Sequence, residues 1–379
     1  AFQMALCGTS LRPPLRRRLC SLSRPADLTA AVQRHRASAA MQSSIGLRHV
    51  ALAICCRAGP DAALSLAQAS AHLATSMQPV LPIIKDLLPG PILVIGGYDA
   101  SGGPVLSVEA RDPDLGAWVA GSDSQVTMPD GEGGGYWAAS EGGVVYVNRD
   151  DGALMRLNLV TREWTRLPAI PKLGRCFVGV IRGHVYLVRG DRAWRFDPDM
   201  PAWATLPPVP TPRYSFGAVA AYGCLYVVGG EGLAFTVTDA AESFDPTSGI
   251  WSVLPVLPTP RRACAAAAMD GKLFVAGGCH EQFDALGTLE SLDLASNAWT
   301  VHRGMPTPRA HCSVVSAGGY LYIIGGERPC EGDVSGCSDE VYDTVERYDE
   351  AADSWSLEPP MRVPRTRCAA VALGGKGAC

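Results

Sequence analysis

The stretch Leu273–Trp299, LFVAGGCHEQFDALGTLESLDLASNAW, carries the plan of most of the chain. It opens on a strand-length apolar run, breaks at Gly277-Gly278, and reaches the pair Leu292-Asp293, whose first member stands seven residues before Trp299. The same interval joins Arg111-Asp112 to Trp118, Leu157-Asn158 to Trp164, Phe196-Asp197 to Trp203, Phe244-Asp245 to Trp251, and Tyr348-Asp349 to Trp355. A self-similarity held through six copies reports a repeat architecture before any helix or strand is assigned.

Working outward, LYVVGG at Leu225 and LYIIGG at Leu321 open two equally clean copies, and the steps Gly230 to Gly278 and Gly278 to Gly326 are both 48 residues. The step from Trp299 to Trp355 is 56, so eight extra residues lie inside the last copy, between Gly326 and Trp355. A fainter copy begins with ILVIGG at Ile92. The copies around VYVNRD and VYLVRG have lost the Gly-Gly and part of the loop after it, yet keep the pair-to-Trp spacing.

Each unit reads as a small antiparallel sheet. Gly217 to Ala221 and Leu225 to Val228 are strand-length, with Tyr222-Gly223 as the turn between them. Gly229-Gly230 frees the backbone where the chain leaves the second strand, because glycine takes positive φ without a steric penalty. Asp245-Pro246-Thr247-Ser248-Gly249 is a turn cluster, after which Trp251 starts an outer strand. One such sheet cannot stand alone; stacking neighbours buries both faces.

The combination of aliphatic strand, Gly-Gly, an acid before the hydrophobic-Asp pair (Glu109, Glu242, Glu290, Glu346) and Trp resembles the Kelch repeat, from about Pro91 to Cys379. The resemblance implies an all-β fold, a six-bladed Kelch β-propeller over residues 91–379 around a central channel. Copy one starts at its second strand, while Arg367-Cys-Ala-Ala-Val-Ala-Leu-Gly-Gly-Lys376 matches the first strand of a unit and stops. Joining that C-terminal strand to Ile92–Gly97 completes blade one and removes an open edge. A truncated seventh blade is the competing reading.

Residues 1–90 differ from the rest. They hold nine Arg and Lys85 against Asp27, Asp61 and Asp86, a net +7 that leaves −11 for the remainder of a chain whose total is −4. Two helix-compatible stretches, about Ala26 to Met41 and Pro60 to Met77, predict a partly helical or disordered extension. A transit peptide, a helical adaptor module and sequence from a fragmentary gene remain open readings of it. An acidic propeller is a poor platform for nucleic acid, which demands concentrated basic surface. No apolar run approaches the 18 or so residues that span a bilayer, so no membrane partner is expected. Thirteen cysteines without compact disulfide spacing point to a reduced, intracellular and cytoplasmic setting, with organelle targeting by the N-terminal segment left open.

Aligning the units on the Gly before the second strand (Gly143, Gly183, Gly223, Gly271, Gly319, Gly375) brings Gly135, Arg175, Ser215, Ala263, His311 and Arg367 to one equivalent position. Just upstream stand Pro212-Arg213, Pro260-Arg261, Pro308-Arg309 and Pro364-Arg365. The resemblance implies that this entry loop opens on one rim of the channel. That rim would carry Arg175, Arg213, Tyr214, Ser215, Arg261, Arg309, His311, Arg365 and Arg367, suited to grip peptide carboxylates through bidentate Arg contacts. The Pro-Arg pairs have a second reading, as turn caps or partners of carboxylates on neighbouring blades. Arg175, His311 and Arg367 are the stronger ligand candidates, because their position varies while the scaffold around it repeats.

Cys176, Cys264, Cys312 and Cys368 occupy the next equivalent position and read as packing, since thiolates on different sheets do not converge on one metal ion. Cys330-Glu-Gly-Asp-Val-Ser-Gly-Cys337, in the eight-residue insertion, reads as an acidic surface loop rather than a disulfide or Ca²⁺ site. Asp112, Asn158, Asp197, Asp245, Asp293 and Asp349 recur in step, so the blade requires them and catalysis does not. No Gly-x-Ser-x-Gly, phosphate loop, His-Glu-x-x-His or Glu-x3-Asp-x3-His is present.

DGKLFVAGG and MPTPRAHCSVV look like the Kelch half of BTB-Kelch ubiquitin-ligase adaptors, although residues 1–90 match neither a BTB domain with its linker nor an F-box. The resemblance implies a non-enzymatic interaction module without cofactor or metal, its partner a protein or acidic peptide. Substrate recognition for a cullin-type ligase and scaffolding or actin binding are its two forms. The alternative is a Kelch-propeller enzyme or specifier protein with its site at the channel mouth.

Overall fold

A computed structural model of the chain describes residues 91–373 except 112–116, 121–135, 150, 160, 162, 169–173, 175, 199, 282–283 and 330–339. The described residues all belong to one of the two units into which the chain divides, the second, Pro89–Cys379. The helical or disordered extension expected over residues 1–90 lies outside the described residues, as does the whole Cys330–Cys337 loop.

In the second unit the described strands form six four-stranded antiparallel sheets and one two-stranded ribbon. From the channel outward, blade two runs Tyr136–Glu141, Val144–Arg149, Leu154–Asn158 and Glu163–Arg166. Blade three is Phe177–Ile181, His184–Arg189, Arg192–Asp197 and Ala202–Thr205, and blade four Gly217–Ala221, Cys224–Val228, Ala241–Asp245 and Ile250–Val253. Blade five is Ala265–Met269, Lys272–Ala276, Leu289–Asp293 and Ala298–Val301, and blade six Ser313–Ala317, Tyr320–Ile324, Val345–Asp349 and Ser354–Glu358. Blade one takes its inner strand from the far end of the chain. Ala369–Ala372 lies antiparallel to Ile92–Ile95, with Ile92 opposite Ala372 and Ile95 opposite Ala369, and Val108–Arg111 and Trp118–Ala120 follow outward. The six inner strands touch one another in a closed circle, so the second unit is a six-bladed propeller sealed by its C-terminal strand.

The seven-residue interval is the register of the outer hairpin. Phe196 faces Trp203, Phe244 faces Trp251, Leu292 faces Trp299 and Tyr348 faces Trp355. The turn between is tied by the recurring acid: Asp245 Oδ1 accepts the Thr247 amide at 2.8 Å, and Asp293 Oδ1 accepts the amides of Ala295 and Ser296 at 3.0 and 2.8 Å. In blades three to six the Trp then reaches the preceding blade. The indole N–H of Trp203 donates to Pro168 O, Trp251 to Pro207 O, Trp299 to Pro255 O and Trp355 to Arg303 O, all at 2.8–3.0 Å. Trp118 of blade one donates to Pro359 O beyond blade six, repeating the staple across the seam between the chain ends. Six apolar clusters fill the six blade interfaces; Phe274 and Leu289 of blade five, for example, pack on Leu321, Ile323 and Tyr348 of blade six.

The Pro-Arg arginines belong to this scaffold. Arg213, Arg261, Arg309 and Arg365 are fully buried. Each pairs with the acid of its own blade's third strand: Arg213 with Glu242 at 2.5 Å, Arg261 with Glu290 at 2.7 Å, Arg309 with Glu346 at 2.8 Å, and Arg365 with Glu109. They also donate to the backbone, Arg213 to Thr211 O and Val227 O, Arg309 to Gly325 O, Arg365 to Gly96 O. With no surface left, these four cannot meet a partner, which corrects the rim contacts expected of them; the carboxylates they hold lie within the blade rather than on its neighbour. The Gly-Gly step explains itself at the same place. Gly230 N donates to Arg261 O of the next blade at 2.7 Å, and a Cβ on Gly229 or Gly230 would stand 2.5 Å from Arg261 O or 2.6 Å from Tyr214 O.

Blades two and three do without the pair. Opposite Val147 and Leu187, the register places Met155 and Trp194 where the other blades have Glu. A buried ion pair broken on one side leaves an uncompensated charge, whereas exchanging both partners for apolar groups is close to neutral. Arg261→Ala is therefore expected to lose about 3–5 kcal/mol of stability. The double change Arg261→Leu with Glu290→Met should recover most of that loss, as read by chemical denaturation of the three proteins side by side.

Candidate functional site

The entry turns of successive blades meet around one end of the channel. Ser215, Ala263, His311 and Arg367 share a left-handed backbone, with φ of 50°, 52°, 52° and 54°. The amide of Ala263 donates to Ser215 O at 2.6 Å, that of His311 to Ala263 O at 2.9 Å, and that of Arg367 to His311 O at 3.0 Å. A circlet of blade-to-blade hydrogen bonds thus holds non-glycine residues in a region they otherwise avoid. The equivalent Gly135 and Arg175 lie outside the described residues. Tyr214, Ser215, His311 and Arg367 all line the mouth of a channel of about 650 Å³. The structure therefore brings four of the expected rim residues together, leaves Arg175 undescribed, and withdraws the four buried arginines.

Below this circlet, the residue after each Gly-Gly supplies a second tier. Tyr214 exchanges backbone hydrogen bonds with Glu231, Arg262 with Cys279, and Ala310 with Glu327. Ser215 Oγ donates to Glu231 Oε1 at 3.1 Å, and the guanidinium of Arg262 pairs with the same carboxylate. His311 Nε2 and Arg367 Nη2 each stand 3.7 Å from Glu327 Oε1. Glu327 is only 4% exposed, whereas the Arg367 side chain is 41% exposed. A half-exposed guanidinium held at that distance keeps directions open for an incoming carboxylate. Glu231 and Glu327 were not expected from sequence; their signal is their place directly after Gly-Gly.

Arg189 is a further rim residue that sequence reading passed over. It is exposed, lines the channel mouth, and stands in blade three where other blades have the first Gly of Gly-Gly. Tyr214 of blade four lies against the neighbouring Gly190, whose Cβ, if present, would be 3.1 Å from the Tyr214 hydroxyl. Arg149 occupies the same place in blade two but is buried and pairs with Asp151 at 3.3 Å.

The channel wall is small and apolar, with Ala267, Val314, Ala220 and Val371 among its residues, because six inner strands converge there. Cys176, Cys264, Cys312 and Cys368 are buried free thiols of that wall. Burial raises all four thiols, Cys264 to about 11 and Cys312 to about 12, by penalising the thiolate. Among the described residues no group of three His, Cys, Asp or Glu side chains is arranged to hold a metal ion, and no helix is long and apolar enough to cross a membrane. Since only the thiolate reacts, iodoacetamide at mildly alkaline pH should leave Cys264 and Cys312 unmodified in the native protein and modify both after unfolding. Peptide mapping by mass spectrometry reads the difference.

The remainder of the last copy's insertion emerges as a ribbon, Glu327–Arg328 pairing with Glu340–Val341 on this side of the blade.

Three comparisons bear on this geometry. Residues 176–376, more than half the chain, match the KLHDC2/KLHL20/DRC7 Kelch-repeats domain family. The fold is similar to the solved structure titled "Structure of YjhT", at 15% identity and a TM-score of 0.55 over 62% of this chain and 86% of that one. No curated protein matches the sequence. The repeats, the ring closed by the C-terminal strand and the family match agree: the chain belongs to the KLHDC2/KLHL20/DRC7 Kelch-repeats domain family.

Proposed function

We propose that the protein is a non-enzymatic interaction module whose channel mouth grips an acidic peptide segment of a partner protein. One observation carries the reading: the positions of Ser215, Ala263, His311 and Arg367 have one backbone conformation, one hydrogen-bonding pattern and four different side chains. Where conformation is held constant by the ring and chemistry varies, the variation is free to serve recognition. Arg189 supplies an exposed cationic group and Arg367 a half-exposed one, and His311 a third that is charged when protonated. Glu231 and Glu327 hold Arg262, His311 and Arg367 in place, so the peptide meets an ordered surface, which lowers the entropy cost of binding.

Recruitment of substrates to a cullin-type ligase is the form of this activity that the resemblance to BTB-Kelch adaptors favours. A peptide bound at the mouth would then be the substrate's recognition segment, and the circlet would select it by charge.

Binding of matched acidic and neutral peptide sets to the full chain, followed by fluorescence anisotropy, tests the reading. Arg367→Ala should weaken the acidic peptides by about tenfold or more, the scale of a central interface residue. It should leave the melting temperature unchanged, because Arg367 is half exposed. Equal binding of acidic and neutral peptides, or no response to Arg367→Ala, overturns the assignment. Turnover of a small-molecule substrate by the purified protein would instead place it with enzymes.

A further inference from the structure

Among the described residues, Leu233 is the most exposed large apolar side chain, at 80%, and Phe235 follows at 76%. Both project from the short hairpin that leaves the Gly229-Gly230 step of blade four. The hairpin is firmly built. Glu231 pairs with Val237 at its base, the Gly232 amide donates to Thr236 O at 2.9 Å, and the Phe235 amide donates back to Gly232 O at 3.0 Å. Phe235 itself has φ of 59°, a conformation that a bulky side chain enters at a penalty and glycine enters freely. The ring gains nothing in return from the fold, since it packs on no core. A strained, exposed aromatic is a cost in the free molecule that binding can offset.

The other blades use this loop differently. In blade one, Asp99 Oδ1 accepts the Ser101 amide, the Ser101 hydroxyl and the Gly103 amide, closing a polar turn. In blade five the segment begins Cys279-His280-Glu281 and in blade six it is the acidic insertion. In sequence Phe235 has a counterpart in Phe283 of blade five, whereas Leu233 is matched there by Glu281, so the Leu-x-Phe pair belongs to blade four. It is also continuous with the channel mouth: Glu231, at the hairpin's base, exchanges backbone hydrogen bonds with Tyr214, accepts the Ser215 hydroxyl and pairs with Arg262. Tyr214, 42% exposed, leads on across Gly190 to Arg189.

We infer that the Leu233–Phe235 hairpin is a hydrophobic anchor for the peptide bound at the mouth, so that the partner segment carries an apolar side chain beside its carboxylates. The inference rests on the rim reading above and adds to it the second half of the recognition code. The charged groups select by electrostatics, and the apolar tip supplies desolvated contact area of the kind that dominates interface energetics. Continuity with the cationic rim favours a short acidic peptide, which meets only that local charge, over a second copy of the propeller, which would bring two bodies of net negative charge together.

The test uses a phage-displayed random peptide library selected on the full chain, then synthetic peptides of the selected sequences, measured against Leu233→Ser, Phe235→Gly and Arg367→Ala. Selected peptides are expected to combine Asp or Glu with Leu, Phe, Trp or Met, and each hairpin variant to weaken them by about tenfold. Phe235→Gly should keep or raise the melting temperature, since it relieves the positive φ, which separates lost contact from lost folding. If Arg367→Ala weakens binding while both hairpin variants stay within about twofold, the anchor is wrong and the rim reading stands. If none of the three changes binding, or no peptide is selected, both fail. Vesicles of neutral phosphatidylcholine form the remaining arm. Partition onto them that vanishes in the hairpin variants, with peptide binding intact, overturns the inference in favour of a lipid surface.

Discussion

Everything in the propeller depends on one seam. Four residues at the end of the described chain, Ala369–Ala372, pair with four at its beginning, Ile92–Ile95, and by doing so turn a row of sheets into a ring. An unclosed row would present two bare strand edges and two unburied sheet faces, both unfavourable in water. Three further interactions cross the same seam: the Trp118 indole on Pro359 O, the buried Arg365–Glu109 ion pair, and the two backbone hydrogen bonds that Tyr98 and Thr366 exchange. Thr366 precedes Arg367, whose amide joins the circlet at the channel mouth. Ring closure and the geometry of the candidate site are therefore one constraint.

The structure separates two uses of arginine that look alike in sequence. Arg365 and Arg367 are two residues apart; one is fully buried, the other has 41% of its side chain in solvent. The first is fixed by a carboxylate and backbone carbonyls of blade one, and recurs at Arg213, Arg261 and Arg309. The second holds a backbone conformation shared with its counterparts but a side chain that is not. Recurrence marks the residues that make a blade, and departure from recurrence marks those available to a partner. By that standard Arg189, Arg367, His311 and Leu233 are the individual features of this ring.

Blade number, closure and the Trp hairpin were legible in the chain because they are periodic, and the interval from Phe244 to Trp251 is itself a strand register. The Arg–Glu pairing was harder to read. Arg213 and Glu242 are 29 residues apart and meet only when the first and third strands of a blade are laid on either side of the second. Since both residues recur in step, their partnership was available in principle, as was its replacement by Met155 and Trp194 in blades two and three. Arg189 escaped notice because it appeared as a defect in a Gly-Gly motif. Phe235 escaped because an apolar loop residue is ordinarily assigned to the core, and only its exposure and positive φ reveal otherwise.

The account stands or falls on the seam, and amide hydrogen exchange measured on the intact chain reads it most directly. Amides of the paired segments Ile92–Ile95 and Ala369–Ala372, and that of Arg367, are predicted to be as protected as those of Leu273–Ala276 inside blade five. Rapid exchange confined to the two terminal segments, with blade five protected, would show an open ring and contradict both the closure and the site built on it.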